Sequence, residues 1–526
     1  MRRLLILLLN ALLVSELYGQ VVQGERFELV RKNADPEPIV FSLDQEGLIV
    51  IEDSREFEGR KRIRKYIQLD TALHIVWASQ ATIPEEEELA GYEYTRGNFQ
   101  ILYTHRQHEH FKGTLVNLDL KNKSLEADPF NVQLGMKLTH FTAAGKNSVI
   151  GGQVGLQPMI ALFDRQTKRT QILPGFFLSE SELIDVRANT NETFSILQMQ
   201  KKGREKTITY RAFDPDGNQL VEDRFSLDPE ITVQSAMVST FYHEEVLIAG
   251  IYSYGNSRLS SGIFTVLLNP SEEKKVTYTD FPKLTRFLDY LPEKKSERII
   301  RRANQRRAYG RSPDFRIAAS LHRLDEYPFG FLIFGESFQI PNNSQSTLMS
   351  MGPYFYRPGL STVPYQYSNM PWRYGYDPFA TSARVIGEVR MTNAFAVAFD
   401  LRGNYLWDES VDLNQSSIPP DVQYADYVTT GNRTEFLFPG EKGLGYSEPI
   451  PELKKKKAAF QSIALGEGQG LIFETGLEHT VRKWYGPHLF IYGAQTIRDG
   501  RFSVDEQKRK IFFINKISLK TTSGAR

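Results

Sequence analysis

The stretch "TYRAFDPDGNQLVEDRFSLD", residues 209–228, recurs in outline as "AVAFDLRGNYLWDESVDL" at residues 396–413. In both, an apolar run ends in Asp, a short polar turn containing Gly-Asn follows, and a second alternating run begins. Such a pattern encodes a β-hairpin: Asp bonds its own backbone, glycine takes the positive φ, and the flanking residues alternate between two faces. The acidic turn Asp214-Pro215-Asp216-Gly217-Asn218 also invites comparison with a calcium loop, but that requires about six oxygens at set positions. The counterpart at Asp400 places Arg402 where Asp216 stands. The turn therefore reads as a corner and not as a metal site.

The same phrase marks the rest of the chain. It ends strands at Asp70, Asp119, Asp164, Asp214 and Asp400, with Asn269 in the Asp place once, and the first five marks are 49, 45, 50 and 55 residues apart. Ahead of each lies a more apolar strand, such as "GLIVIE" at 47–52, "SVIGGQ" at 148–153 and "FLIFGE" at 331–336. Two late copies, "EFLFPG" at 435–440 and "LFIYGA" at 489–494, follow, the first weakened as a strand by Pro439. A period near 50 with room for four strands is that of β-propeller blades, and closure of the sheets removes the exposed edges that an open sheet of some thirty strands would carry. The expected fold is all-β, a single propeller of four-stranded antiparallel blades with one short helical insertion. Two β-sandwiches or stacked β domains are the rival architecture. Removing the leader and insertions leaves about 420 residues, which favours eight blades, with seven as the alternative. "KIFFINKISL" near the end and "RFELVRK" near the start are expected to share one blade.

This periodicity resembles the β-propeller superfold, and the "FDxxGNxLW" hairpin looks like the outer strands of quinoprotein-type and related bacterial repeat propellers. The resemblance implies a secreted bacterial repeat protein and carries no activity with it. The chain has neither the Ser-x-Asp-x-Gly-x-Thr-Trp box of sialidases nor the Gly-His and Trp-Asp pairing of WD40 repeats.

The beginning, "MRRLLILLLNALLVSELYG", has two arginines, an apolar run from Leu4 to Val14 and a small residue at Gly19. That is the anatomy of a signal peptide over residues 1–19, with residues 20–526 as the propeller. The 526 residues include no cysteine, which excludes a disulfide scaffold, and the expected location is periplasmic or extracellular. A formal charge of +1 gives no whole-protein field for nucleic acid.

Three insertions interrupt the repeat. Residues 283–312 include "LPEKKSERIIRRANQRRAYGR", expected as a basic helix from Pro292 to Ala308 that ends at Gly310, with Arg298, Arg301 and Arg302 among its contact residues. Residues 340–378 are rich in tyrosine and proline; Tyr354, Tyr356, Tyr365, Tyr367, Trp372, Tyr374 and Tyr376 are candidate binding residues, because aromatic rings with polar tips anchor interfaces and stack on sugars. Residues 441–458 carry the run Lys454 to Lys457, read as a solvated loop. His108 and His110 are weak metal candidates; they share a face in a regular strand, from which His105 points away. Asp185 in "LIDVRAN" and Asp426 in "VQYADYV" are weak catalytic candidates, since propeller enzymes set acids at the starts of inner strands. Nucleophile elbows and phosphate loops are absent from the sequence, and no cofactor is expected. The expected function is non-catalytic binding or scaffolding in an envelope or secreted assembly, with a protein partner or a glycan. The alternative is a glycoside hydrolase or lyase with acids in the central funnel.

Overall fold

The computed structural model describes residues 20–520 apart from 33–35, 106–110, 133, 240–244, 256, 258, 270–272, 340–388, 414–416, 419–422, 431–432, 442, 451–454, 475–478 and 503–506. The protein is an eight-bladed β-propeller, each blade a sheet of antiparallel strands. Blade one comprises Ile39–Ser42, Leu48–Glu58, Lys61–Leu69 and Ile75–Pro84, and blade two Glu87–Thr95, Asn98–His105, Phe111–Asp119 and Ser124–Val132. Blades three, four and five run from Lys137 to Ile172, Ser181 to Ser226 and Ile231 to Asp280. Blade six runs from Ala318 to Asp412 with the short strand Ser417–Ile418 paired to its third strand, blade seven runs from Asp426 to Gln461, and blade eight takes Gln20–Arg31, Gln469–Glu474, Thr480–Lys483, His488–Asp499 and Lys508–Lys520. Eight blades are therefore found where the sequence left seven open. Pro439 is tolerated because it stands one residue from the end of its strand, Arg433–Gly440, where a single missing N–H removes little of the ladder.

By contact density the chain divides into two compact units, Met1–Val50, Gln68–Val76 and Tyr424–Arg526 in one, Ile51–Ile67 and Trp77–Gln423 in the other. In the first unit, blade eight joins the chain's two ends. The strand Gln20–Arg31 pairs antiparallel with Lys508–Lys520, Arg26 opposite Asn515 and Phe27 opposite Ile514. Arg26 fastens this closure: it donates to Ala464 O (2.9 Å), Asn515 Oδ1 (2.8 Å), Gln495 Oε1 (2.8 Å) and Glu28 Oε1 (2.6 Å), and its guanidinium lies 4.7 Å from the Phe513 ring centroid. The apolar core of this unit lies between blades seven and eight, where Val428, Leu437 and Leu444 meet Leu489, Ile491 and Phe513.

In the second unit the core is a series of slabs between neighbouring sheets. Ile184, Leu197 and Tyr210 of blade four pack on Val233, Ile248 and Phe264 of blade five, and equivalent slabs lie between blades two and three and between three and four. The first strands of consecutive blades lie side by side, which makes them the innermost. In blades two to six each innermost strand carries a register shift at the same place, after Leu89, Leu138, Leu183, Val233 and Leu321. The extra residue bends the strand and increases its twist.

The repeated hairpin joins the third and fourth strands of its blade, the two outer ones, and its turn is one device used repeatedly. In blade four, Asp214 N donates to Asn218 O (3.0 Å) and Gly217 N to Asp214 O (3.1 Å), while the Asp214 carboxylate accepts from Asn218 N and Asn218 Nδ2, both at 2.8 Å. Blade six repeats this around Asp400 with the same partners, Gly403 and Asn404. Gly217 has φ 87° and Gly403 φ 78°. These turns also dock on the preceding blade. A Cβ on Gly217 would stand 2.6 Å from Leu173 Cδ2 and 2.7 Å from Leu162 Cδ1, and Gly403 O accepts from Thr265 Oγ1 at 2.7 Å. Glycine is thus required both by the backbone angle and by the close approach.

Candidate functional site

The helix α1 (Glu293–Ala308) occupies the connection between blades five and six, with the bounds that Pro292 and Gly310 suggested. Its end is a Schellman motif: Gly310, at φ 66°, donates to Arg307 O (2.9 Å), and Arg311 N donates to Arg306 O (2.9 Å). Ala303 is fully buried, and Ile299 and Ile300 pack against the core shared by blades five and six. Ahead of the helix, Phe281 and Phe287 stack at 4.3 Å, and the Asp408 carboxylate accepts from Thr285 N (2.7 Å) and Arg286 N (2.8 Å).

Arg307 is a fixed cation of the helix, as is Arg306, whose Nε donates to Ser312 O at 2.7 Å. Arg307 Nε donates to Asp280 Oδ2 at 3.0 Å, and Asp280 Oδ1 accepts from the hydroxyls of Tyr252 (2.7 Å) and Tyr254 (2.8 Å). Burial first, then the neighbouring Asp280 charge, pushes the Tyr252 hydroxyl far up, so it stays protonated and keeps donating. Lys294, Lys295, Arg298, Arg301 and Arg302 are exposed. A rigid helix held by its apolar face therefore presents five solvated cations.

The other insertions fall as follows. Residues 340–388, which hold Tyr354, Tyr356, Tyr365, Tyr367, Trp372, Tyr374 and Tyr376, lie outside the described residues, as do His108 and His110. The ends of that long segment are described: Gln339 pairs with Arg390, and Phe338 pairs with Ala318, the first residue of blade six. Its two stems consequently leave blade six at the end where the chain coming from α1 enters that blade, next to the Ser260–Ile317 bridge. Lys455, Lys456 and Lys457 lie in the fourth strand of blade seven, paired with Ile450, Pro449 and Glu448. The lysine run is thus part of an outer hairpin where an insertion was expected.

Asp185 and Asp426 do lie on innermost strands, but each holds a neighbouring strand. Asp185 Oδ2 accepts from Val238 N of blade five at 3.0 Å, and Asp426 Oδ2 accepts from Lys483 N of blade eight at 2.7 Å. Burial raises the Asp185 carboxyl above its usual range, opposed by Arg187. Near Asp185, in blade two, stands Glu93, which sequence reading passed over. Burial pushes its carboxyl up to about 7, against the Thr142 hydroxyl, which donates to Glu93 Oε2 at 2.6 Å, and against the charge of Arg187. The signal for Glu93 was a lone acid between tyrosines in "AGYEYT"; its neighbours Thr142 and Arg187 come from other blades and were not legible locally. Among the described residues no group of three or more His, Asp or Glu side chains is placed to hold a metal ion. The hairpin carboxylates have backbone donors instead; the Asn122 N–H foremost holds the Asp119 carboxyl below its usual range.

No family model and no curated protein matches this chain. Among solved structures it is similar to the β-propeller domain of the Trilobed protease from Pyrococcus furiosus, at 8% identity and a TM-score of 0.34, over 84% of this chain and 97% of that one. It is also similar to the polysaccharide lyase Uly1, at 8% identity and a TM-score of 0.38, over 95% of this chain and 100% of that one. A third is the dihydro-heme d1 dehydrogenase NirN, at 12% identity and a TM-score of 0.38, over 95% of this chain and 78% of that one. These likenesses are of fold alone, and the resemblance of this chain is to the β-propeller superfold.

Proposed function

We propose that the protein is a non-catalytic binding or scaffold module of a bacterial cell-envelope or secreted assembly, which meets its partner through α1 and the adjoining Tyr/Pro-rich segment. The observation that carries this reading is α1 itself. A surface helix that only filled a gap would need its buried face, Ile299, Ile300 and Ala303; it would not need five exposed cations on the other. Connections between blades tolerate additions without disturbing the sheets, and that is where binding residues accumulate on repeat scaffolds. The enzyme alternative has less behind it, because Asp185 and Asp426 each accept a backbone N–H that an inner strand would otherwise leave buried and unpaired.

Crosslinking with mass spectrometry on native envelopes tests the reading. Lys294 and Lys295 should be the dominant crosslinked lysines, and a chain lacking residues 345–376 should lose those partner links while keeping its thermal transition. Links that survive the deletion and the Arg298→Glu/Arg302→Glu change, or that form only elsewhere on the chain, would reject it.

A further inference from the structure

Cations predominate on the solvent face of α1. At about 100° per residue, Arg301, Lys294, Arg298, Arg302 and Lys295 fall within one arc of about 120° that begins opposite Ala303 and reaches round one side of the helix, with Gln305 among them. Tyr309, which closes the helix, continues that line, and its side chain is 74% exposed. The two carboxylates, Glu293 and Glu297, stand on one flank, and every isoleucine of the helix is turned inward. None of the five cations has an ion pair among the described residues.

We propose that this stripe and Tyr309 form a binding site for an acidic polysaccharide, its uronate carboxylates or sulfate esters on the cations and a sugar ring against the Tyr309 face. The proposal rests on the reading of α1 as the contact surface and names what that surface takes. A membrane would need an apolar face to insert, and here that face is used by the core. A folded protein would be expected to meet a cluster of apolar anchors, and the stripe offers the single ring of Tyr309. Charge alone suits a linear polyanion, and from Lys294 to Tyr309 the stripe runs about 22 Å, the scale of a short oligosaccharide. The exposed ring supplies what distinguishes a sugar from any other polyanion: an apolar face for the C–H side of a pyranose, with a hydroxyl at its rim. Three of the five cations are arginines, whose planar fork matches carboxylate and sulfate bidentately.

The test uses the full chain in biolayer interferometry against polygalacturonate, dextran sulfate, neutral dextran, poly-glutamate and vesicles containing phosphatidylglycerol. Polygalacturonate or dextran sulfate should bind, dextran should not, and binding should weaken steeply as salt rises. Arg298→Ala/Arg302→Ala should lower the affinity about tenfold or more. Tyr309→Ala should lower it by about threefold to tenfold for the polysaccharides and leave poly-glutamate unaffected. All three positions are exposed, so an unchanged melting temperature is expected. Equal binding of poly-glutamate with no effect of Tyr309→Ala, or binding to vesicles only, overturns the polysaccharide assignment and leaves the contact surface standing. Stripe variants that change neither polyanion binding nor the envelope crosslinks overturn both.

Discussion

Replacing Glu93 by Gln tests whether the innermost strands hold a protonated carboxyl at neutral pH. In the unfolded chain Glu93 releases its proton near the ordinary glutamate value of 4.5, and in the folded protein at about 7. Between these values the folded state holds a proton that the unfolded state has lost, so stability falls as pH rises. At about 1.36 kcal/mol per pH unit, the full interval is worth about 3 kcal/mol. Glu93 is half-buried, and screening by solvent reduces this to about 2 kcal/mol. Its contribution is therefore complete below pH 4.5, declines up to pH 7 and is flat above. Glutamine keeps an oxygen for the Thr142 hydroxyl and carries no proton equilibrium, so Glu93→Gln should match the wild type at pH 4 and exceed it by about 2 kcal/mol at pH 8. The assay is urea unfolding of both proteins at half-unit pH steps. Subtracting one profile from the other removes the groups the two share, including the raised Asp185 carboxyl and the Arg187 charge that face the same position. A difference independent of pH would refute the reasoning, since it would mean that Glu93 binds its proton equally well in the folded and unfolded states.

Two further perturbations probe the scaffold. Arg26→Ala removes four hydrogen bonds and a ring contact from the blade formed by both chain ends, and should lower stability by about 3 kcal/mol, read by urea unfolding; a loss below about 1 kcal/mol would mean that the strand pairing alone holds the closure. Gly217→Ala places a methyl at positive φ against Leu162 and Leu173 and should destabilise by about 2–3 kcal/mol, whereas Gly175→Ala, at φ 88° with open space around it, should lose only about 1 kcal/mol; equal losses in thermal unfolding would remove the docking role assigned to the turn.

The parts of the fold that were legible in the sequence are those encoded by neighbours in the chain. The turns at Asp70, Asp119, Asp164, Asp214 and Asp400 need only five or so consecutive residues, and their carboxylates close on backbone N–H groups two to four positions ahead. The bounds of α1 were readable for the same reason, from Pro292 and Gly310. Pairing between blades was not. Nothing in "LIDVRAN" shows that Asp185 meets Val238, 53 residues on, or in "VQYADYV" that Asp426 meets Lys483, 57 residues on. Read alone, these acids look available for chemistry. The register shifts at Ala90, Thr139, Ile184, Gln234 and His322 were hidden too, because five unrelated side chains occupy one backbone position. Lys455 to Lys457 misled because charge density suggests a loop, whereas a blade's outermost strand needs only one apolar face.

The two kinds of connection within a blade differ in what they allow. In blades four and six the turn from third to fourth strand has one length, because Asp meets an amide four residues on while glycine rests on the preceding blade. An inserted residue there would break the carboxylate's bonds and lift the turn from its neighbour. The connection from second to third strand, and the one from a fourth strand to the next blade, leave from the opposite end of the sheet and carry no such closure. Residues 106–110, 340–388 and the whole of α1 lie in connections of these two kinds. In those two blades hydrogen-bond geometry fixes one end of the sheet and leaves the other free to lengthen. The cations of α1 lie in a connection that leaves from that free end, as do both stems of the tyrosine-rich segment.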